Sequence, residues 1–175
     1  MDERKMEQII VILDGPDGTG KTEISQGLSK VLRIHTFKNP LEGTLFRNKT
    51  FQEEMKYVPE YIVAFLKQTG TSVIFDRHYP AEYAYAKTLN RDFDEEKFWA
   101  IDKIFAEIDT KIILCHTSHY TNYEDPLVPI GAQEDIFRHY LAFSIKSSCK
   151  NYFLDTSTQN LPEQLSTIVN WLLVK

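Results

Sequence analysis

Apolar residues in this chain fall into two kinds of run. Gln8-Ile9-Ile10-Val11-Ile12-Leu13, Ser72-Val73-Ile74-Phe75-Asp76, Lys111-Ile112-Ile113-Leu114-Cys115 and Asn151-Tyr152-Phe153-Leu154-Asp155 are short and nearly unbroken. A strand covered on both faces has no polar side to show, so such runs read as strands of a parallel sheet. Ile34-His35-Thr36-Phe37-Lys38 is a weaker fifth candidate. Between these runs the apolar positions recur at three- and four-residue spacing. Ile24, Leu28, Val31 and Leu32 predict a helix over 22–32. Met55, Val58, Ile62 and Phe65 predict one apolar face of a helix over 51–67, which Pro59 should kink or divide. Further helices are expected over 81–89, 94–108, 132–147 and 161–174, the last with Pro162 in its first turn, where proline is tolerated. The acids Asp92, Asp94, Glu95 and Glu96 suit the positive end of the 94–108 helix. Pro40 disfavours helix at Asn39, so 39–44 reads as a loop.

Strands alternating with helices predict an α/β fold, a five-stranded parallel sheet with helices on both faces. Ligands in such sheets bind at the carboxyl ends of the strands. Asp14, Asp76 and Asp155 each end a predicted strand, so all three are expected on one rim.

The connection after the first strand carries specific chemistry. Gly15-Pro16-Asp17-Gly18-Thr19-Gly20-Lys21-Thr22 fits G-x-x-x-x-G-K-[ST] without a gap. Glycine permits the backbone angles that turn successive N–H groups inward, and those groups form a nest for phosphate oxygens. Lys21 adds a positive charge for the β- and γ-phosphates, and the Thr22 hydroxyl suits Mg²⁺. The helix that starts here points its positive end at the same anion. A strand before and a helix after are the context this motif requires, and both are present. The reading is therefore a three-layer P-loop NTPase fold, expected to form a single domain over 1–175 with a lid-like segment at about 116–135. That segment is polar and turn-rich, with Pro126 and Pro129.

Composition narrows the classes. The 175 residues suit one domain, and a hydrophobic share of 42% indicates a globular chain rather than a disordered one. The net charge of −5 argues against a long nucleic acid as partner, which usually needs a basic face. Cys115 and Cys149, without C-x-x-C spacing, suggest a reducing compartment rather than a disulfide scaffold or a metal site. No apolar run is long enough to span a bilayer and the first eight residues lack a signal-peptide core, so a cytoplasmic protein without membrane contact is expected.

Phe75-Asp76-Arg77-His78-Tyr79-Pro80 is the second constellation. An aspartate ending a strand beside a phosphate loop is placed to hold Mg²⁺, and an arginine after it offers a planar fork for phosphate oxygens. A salt-bridged strand end is the alternative. Here the chain resembles the thymidylate kinase family. Its loop has Asp17 at the place where that family carries an aspartate. Asp76-Arg77-His78, with Ala84-Tyr85 further on, is similar to the D-R-[YH]-x-x-S-x-x-A-Y signature. Lys38-Asn39-Pro40 stands where the family has R-E-P, and Leu154-Asp155-Thr156-Ser157 is similar to the fifth-strand end near which adenine is held.

The resemblance implies roles. Lys21 and the loop residues Gly15, Pro16, Asp17, Gly18, Thr19, Gly20 and Thr22 would surround the ATP phosphates, with Thr156 and Ser157 near the adenine. Thr22 and Asp76 would position Mg²⁺. Asp17 would meet the acceptor sugar or the metal, Arg77 the acceptor-side or transferring phosphoryl group, and Tyr85, Lys38 and Pro40 the acceptor. Lys21, Arg77, Asp76 and Asp17 are the expected catalytic group, ATP and Mg²⁺ the expected cofactors, and a homodimer a family-based expectation.

The chain also departs from the pattern. Ala81 replaces the signature serine, Ala86 a glutamine and Lys38 an arginine. Met55, with Lys56 beside it, falls where the family has an arginine. No arginine lies between Arg91 and Arg138, so the expected lid arginines are lacking and Arg138 is the nearest candidate. Tyr57, Tyr61, Tyr79, Tyr83 and Tyr85 are readable either as base-stacking residues or as core. His116 and His119 are candidates for phosphate contact and Glu42 for a base, each against a merely solvated role. The leading expectation is transfer of the γ-phosphoryl group of ATP to a dTMP-like (deoxy)nucleoside monophosphate. A kinase of a free nucleoside or a hydroxymethylated pyrimidine, and a non-catalytic nucleotide-binding module, are the alternatives.

Overall fold

The computed structural model describes residues 8–38, 58–120, 128–129 and 131–173. The strands are β1 (Ile10–Asp14), β2 (Thr36–Lys38), β3 (Val73–Asp76), β4 (Lys111–His116) and β5 (Lys150–Asp155). The helices are α1 (Lys21–Leu32), α2 (Val58–Thr69), α3 (Tyr79–Thr88), α4 (Glu95–Ala106), α5 (Gln133–Lys146) and α6 (Leu161–Leu173). All five predicted strands form, in the order β2-β3-β1-β4-β5, and every pairing is parallel.

β1 runs through the middle and explains the two-sided packing. Its residues alternate in direction, so Ile10 and Ile12 face one layer while Val11 and Leu13 face the other. On the first side they meet Val63 and Leu66 of α2, Tyr79 and Tyr83 of α3, Phe98 and Phe105 of α4, and Ile136 and Tyr140 of α5. On the second side they meet Ile24 and Leu28 of α1 and Ile168 and Leu172 of α6. The fully buried strands thus need helices on both faces, as their unbroken apolar runs imply.

Several boundaries moved for local reasons. Asp94 stands outside α4 as its cap, its carboxylate accepting from the Lys97 N–H at 3.0 Å. α3 starts two residues before the expected 81, because Pro80 fits the first turn. In α2 the buried residues are Val63 and Leu66, while Phe65, expected on the inner face, is 57% exposed. In α1, Val31 likewise turns outward at 56% exposure. Met55, Lys56, Tyr57, Glu42 and Pro40, and the segment 121–127, lie outside the described residues. No described helix is long and apolar enough to cross a membrane.

Candidate active site

The site stands on the rim where the parallel strands end. β1 gives way to α1 through 15–20, and each part of that bend has a cause. Gly15 has φ 138°, and a Cβ there would lie 2.1 Å from the Cys115 carbonyl oxygen, so only glycine lets β1 turn this close to β4. Gly18 and Gly20 have φ 78° and 72°, which opens the loop before the first turn of α1. The Lys21 Nζ folds back into the bend, 2.6 Å from the Pro16 carbonyl and 3.3 Å from Thr19 Oγ1. Burial pulls the Lys21 ammonium down to about 8, and the nearby Arg77 charge adds to that, against the pull of Asp17 and Asp14. A buried ammonium this easily discharged is one that gains from an incoming polyanion.

Thr22, the last residue of the motif, donates its hydroxyl to Asp76 Oδ2 at 2.9 Å. β3 lies directly beside β1, with Leu13 opposite Asp76, which is why residues far apart in sequence meet here. The next residue, Arg77, has φ 71°. A left-handed backbone at a non-glycine residue costs about 1–3 kcal/mol and persists where its surroundings fix it. Here the Arg77 N–H donates to the Leu13 carbonyl at 2.8 Å. The turn sends the guanidinium to the loop: Nη2 lies 2.6 Å from Asp17 Oδ1 and Nη1 3.0 Å from the Tyr85 hydroxyl, which itself donates to Asp17 Oδ2 at 2.7 Å. Asp17, Arg77 and Tyr85 therefore close a ring that joins the phosphate loop to β3 and α3. Burial alone would raise the Asp17 carboxyl. Arg77 and Lys21, with the hydrogen bonds from Tyr85 and Arg77, outweigh it and hold Asp17 below its ordinary value. Asp17 is thus ionised at neutral pH, able to accept and not to donate.

The other expected residues divide. Lys38 closes β2 opposite Asp76 in the register and is exposed. Thr156 donates through both its N–H and its hydroxyl to the His116 carbonyl, at 2.9 and 3.0 Å. Ser157 accepts from the Ser118 hydroxyl at 3.0 Å and donates to Asp155. These two residues lace the ends of β4 and β5 together, and none of these bonds reaches the loop 15–22. Arg138 pairs with Asp135 at 2.8 Å on the exposed side of α5, so the nearest substitute for a lid arginine is turned to solvent. The His116 ring stacks on Phe137 at 4.8 Å. Among the tyrosines, Tyr79 and Tyr83 are core, Tyr61 is 73% exposed, and Tyr85 alone of those described belongs to the ring around Asp17.

Three residues were given no role in the sequence reading: Asp14, Tyr140 and His78. Asp14 is fully buried and gathers donors from both loops and from Tyr140 of α5. His78 is buried between Phe75, Tyr79 and Phe105, and burial lowers its imidazole to about 4. An aspartate at a strand end was the one available signal for Asp14; of its partners only Gly15 is adjacent in the chain.

Five parallel strands in this order, with a glycine-rich loop after the central one and an Asp–Arg pair after its neighbour, make an α/β fold that solved nucleotide and nucleoside kinases share. Solved structures share it along nearly their whole length. The YorR protein of Bacillus subtilis, in complex with phosphorylated GDP, is 19% identical, with a TM-score of 0.66 over 93% of this chain and 95% of its own. A thymidylate kinase from Candida albicans is 12% identical, with a TM-score of 0.64 over 95% and 91%. A deoxyadenosine kinase from M. mycoides is 20% identical, with a TM-score of 0.59 over 94% and 98%. No protein-family model and no curated protein matches the sequence.

Proposed function

We propose that this protein is a small kinase that moves the γ-phosphoryl group of ATP to a nucleotide or nucleoside acceptor, with a dTMP-like deoxynucleoside monophosphate as the first candidate. One observation carries the reading: the Asp17–Arg77–Tyr85 ring stands against the same loop whose Thr22 meets Asp76. A donor-phosphate cradle and an acceptor-facing cluster are thereby set side by side. The three solved relatives, named for nucleotide or nucleoside chemistry, agree with it.

Phosphoryl transfer asks little covalent help of a protein; positioning and charge do the work. The loop amides and Lys21 hold the donor phosphates, and Lys21 swings from the Pro16 carbonyl to the anion. Thr22 and Asp76 present two oxygens 2.9 Å apart, the hard donors that Mg²⁺ takes while keeping several waters and phosphate oxygens, so the residues present fit that ion. Bound there with the nucleotide, Mg²⁺ supplies positive charge against the phosphate oxygens. Arg77, aimed by its left-handed turn, offers N–H donors to charge developing on the transferred group. Ionised Asp17 and the Tyr85 hydroxyl offer an acceptor and a donor to a sugar hydroxyl. The segment at about 116–135 is read as the lid that excludes water.

A second reading, a free nucleoside as acceptor, is favoured by a specific feature. Arg77 is already engaged by Asp17 at 2.6 Å, and 116–131 contains neither lysine nor arginine to meet an acceptor phosphate. The experiment is a panel of nucleosides, their monophosphates and hydroxymethylated pyrimidines with γ-labelled ATP and Mg²⁺. Product from a monophosphate supports the first reading and product from a nucleoside the second. ATP binding with no product from any acceptor leaves a nucleotide-binding module and overturns both.

A further inference from the structure

Asp14 ends β1 one residue before the phosphate loop and has no exposed surface. Its Oδ1 accepts from the Gly15 N–H at 2.9 Å and from the Tyr140 hydroxyl at 2.6 Å. Its Oδ2 accepts from the His78 N–H at 3.2 Å and the Ala81 N–H at 3.1 Å. Four donors from three segments meet on one carboxylate: the start of the loop, the turn from β3 into α3, and the middle of α5. All four are donors, so the group that satisfies them is an ionised carboxylate with no proton of its own to place. Burial raises the Asp14 carboxyl above its ordinary value, and Arg77, the hydrogen bonds from Tyr140 and Gly15, and Lys21 pull against that rise.

The connection to chemistry runs through Arg77. That residue carries the left-handed backbone that aims its guanidinium at Asp17. It is clamped from both sides: its own N–H bonds to Leu13, and the next N–H, of His78, bonds to Asp14. Leu13 and Asp14 are consecutive in β1, and Asp14 also holds Gly15, where the loop begins. The same two-residue stretch therefore sets the origin of the phosphate loop and the direction of Arg77. A shift in one is a shift in the other. Tyr140 reaches this point from α5 across 126 residues of sequence and fixes Oδ1.

We propose that Asp14 is a positioning residue for phosphoryl transfer: it holds the donor loop and the Arg77 guanidinium in one register, with Tyr140 as its brace from α5. This rests on the kinase reading above. Asp14 is placed to act through Arg77 and Gly15 rather than on substrate. A merely structural aspartate would support the fold at this point without affecting turnover once the protein is folded.

The test uses the full chain as wild type, Tyr140→Phe, Asp14→Ala and the double variant. Tyr140→Phe removes one hydroxyl and keeps the ring that packs in the core, so it is the variant expected to fold. Well below its melting temperature, with the acceptor that the wild type uses, kcat should fall about 10-fold while the KM for ATP stays within about two-fold, the size of effect expected of one charge-assisted hydrogen bond. If Asp14→Ala folds, the double variant should be no slower than Asp14→Ala alone, because both changes act through one group. Unchanged kcat in Tyr140→Phe, or a loss that falls wholly on KM for ATP, overturns the proposal. A second measurement separates it from the kinase reading. Amide hydrogen exchange at Gly15, His78 and Ala81 should speed up several-fold in Tyr140→Phe while that of Ile113 in β4 is unchanged. If the wild type phosphorylates nothing, the kinase reading fails on its own. Equal protection of those three amides in both proteins then still refutes the role of Asp14, and their selective loss still supports the register it keeps.

Discussion

The Thr22 hydroxyl lies 2.9 Å from Asp76 Oδ2, joining residues 54 positions apart. One is the last residue of the phosphate loop and the other the last of β3. Their meeting follows from the strand order, since β3 pairs directly with β1 and brings the two strand ends level. This hydroxyl and carboxylate are the proposed seat for a hydrated divalent ion, and everything proposed about donor binding is built around them.

Lys21→Ala should abolish transfer and leave the fold intact. The side chain packs into its own loop, against the Pro16 carbonyl and Thr19, and supports no core cluster. Loss of a charge aimed at the transferring group should cost about 10²–10³-fold in kcat or more. Circular dichroism and a melting curve beside the assay check this; an active, folded Lys21→Ala protein contradicts it.

Arg77→Ala should lower kcat by a similar factor with a modest change in ATP affinity. The guanidinium bonds to Asp17 and Tyr85, the side chains read as facing the acceptor. Titration with a fluorescent ATP analogue, set against turnover, separates the two quantities. Collapsed ATP affinity with unchanged turnover of bound substrate would place Arg77 on the donor instead.

ATP affinity should fall as pH rises past 8. In the proposed role Lys21 binds phosphate as the ammonium, and in the free protein burial brings it to about 8 from an ordinary 10.5. Above that value the free protein must take up a proton to bind, so the dissociation constant should rise by up to about ten-fold per pH unit. Calorimetry at pH 8.5 in two buffers of different ionisation enthalpy should register net proton uptake. Equal affinity at pH 7 and pH 9 would contradict it.

His78 should make the fold acid-sensitive. Its imidazole is lowered by burial to about 4, against 6.5 in the unfolded chain. Between those values the unfolded chain binds the extra proton. Stability is therefore complete above about 6.5 and lost as pH falls towards 4, by on the order of 3 kcal/mol in all. His78→Phe, which keeps an aromatic ring among Phe75, Tyr79 and Phe105, should flatten that part of the stability curve. Urea melts at pH 7, 5.5 and 4.5 on both proteins measure it; parallel curves would refute the assignment.

The fold was readable because the strands are buried on both sides and so spell unbroken apolar runs. The loop and Asp76 were readable because phosphate chemistry demands those residue types at that spacing. Arg77 was readable as a fork beside Asp76, Asp17 and Tyr85 needed the family resemblance, and the structure brings all three together. Spacing could not choose the inner face of α2, where Ile62, Val63, Phe65 and Leu66 make apolar positions on more than one side; packing buried Val63 and Leu66 and left Phe65 out. Arg138, the nearest arginine after the 116–131 stretch, lies two residues from buried Ile136 and pairs with Asp135 on the exposed side of α5. Asp14 was visible as a strand-ending acid, yet its significance depends on Tyr140 and the β3–α3 turn, which only the folded chain places beside it.

The central claim is that one rim holds both a donor cradle and an acceptor cluster. Thin-layer analysis of γ-labelled ATP incubated with the protein, Mg²⁺ and a set of nucleosides and monophosphates tests it most directly. The account predicts label on at least one acceptor and none with Lys21→Ala. Folded wild-type protein that binds ATP and labels no acceptor would contradict it.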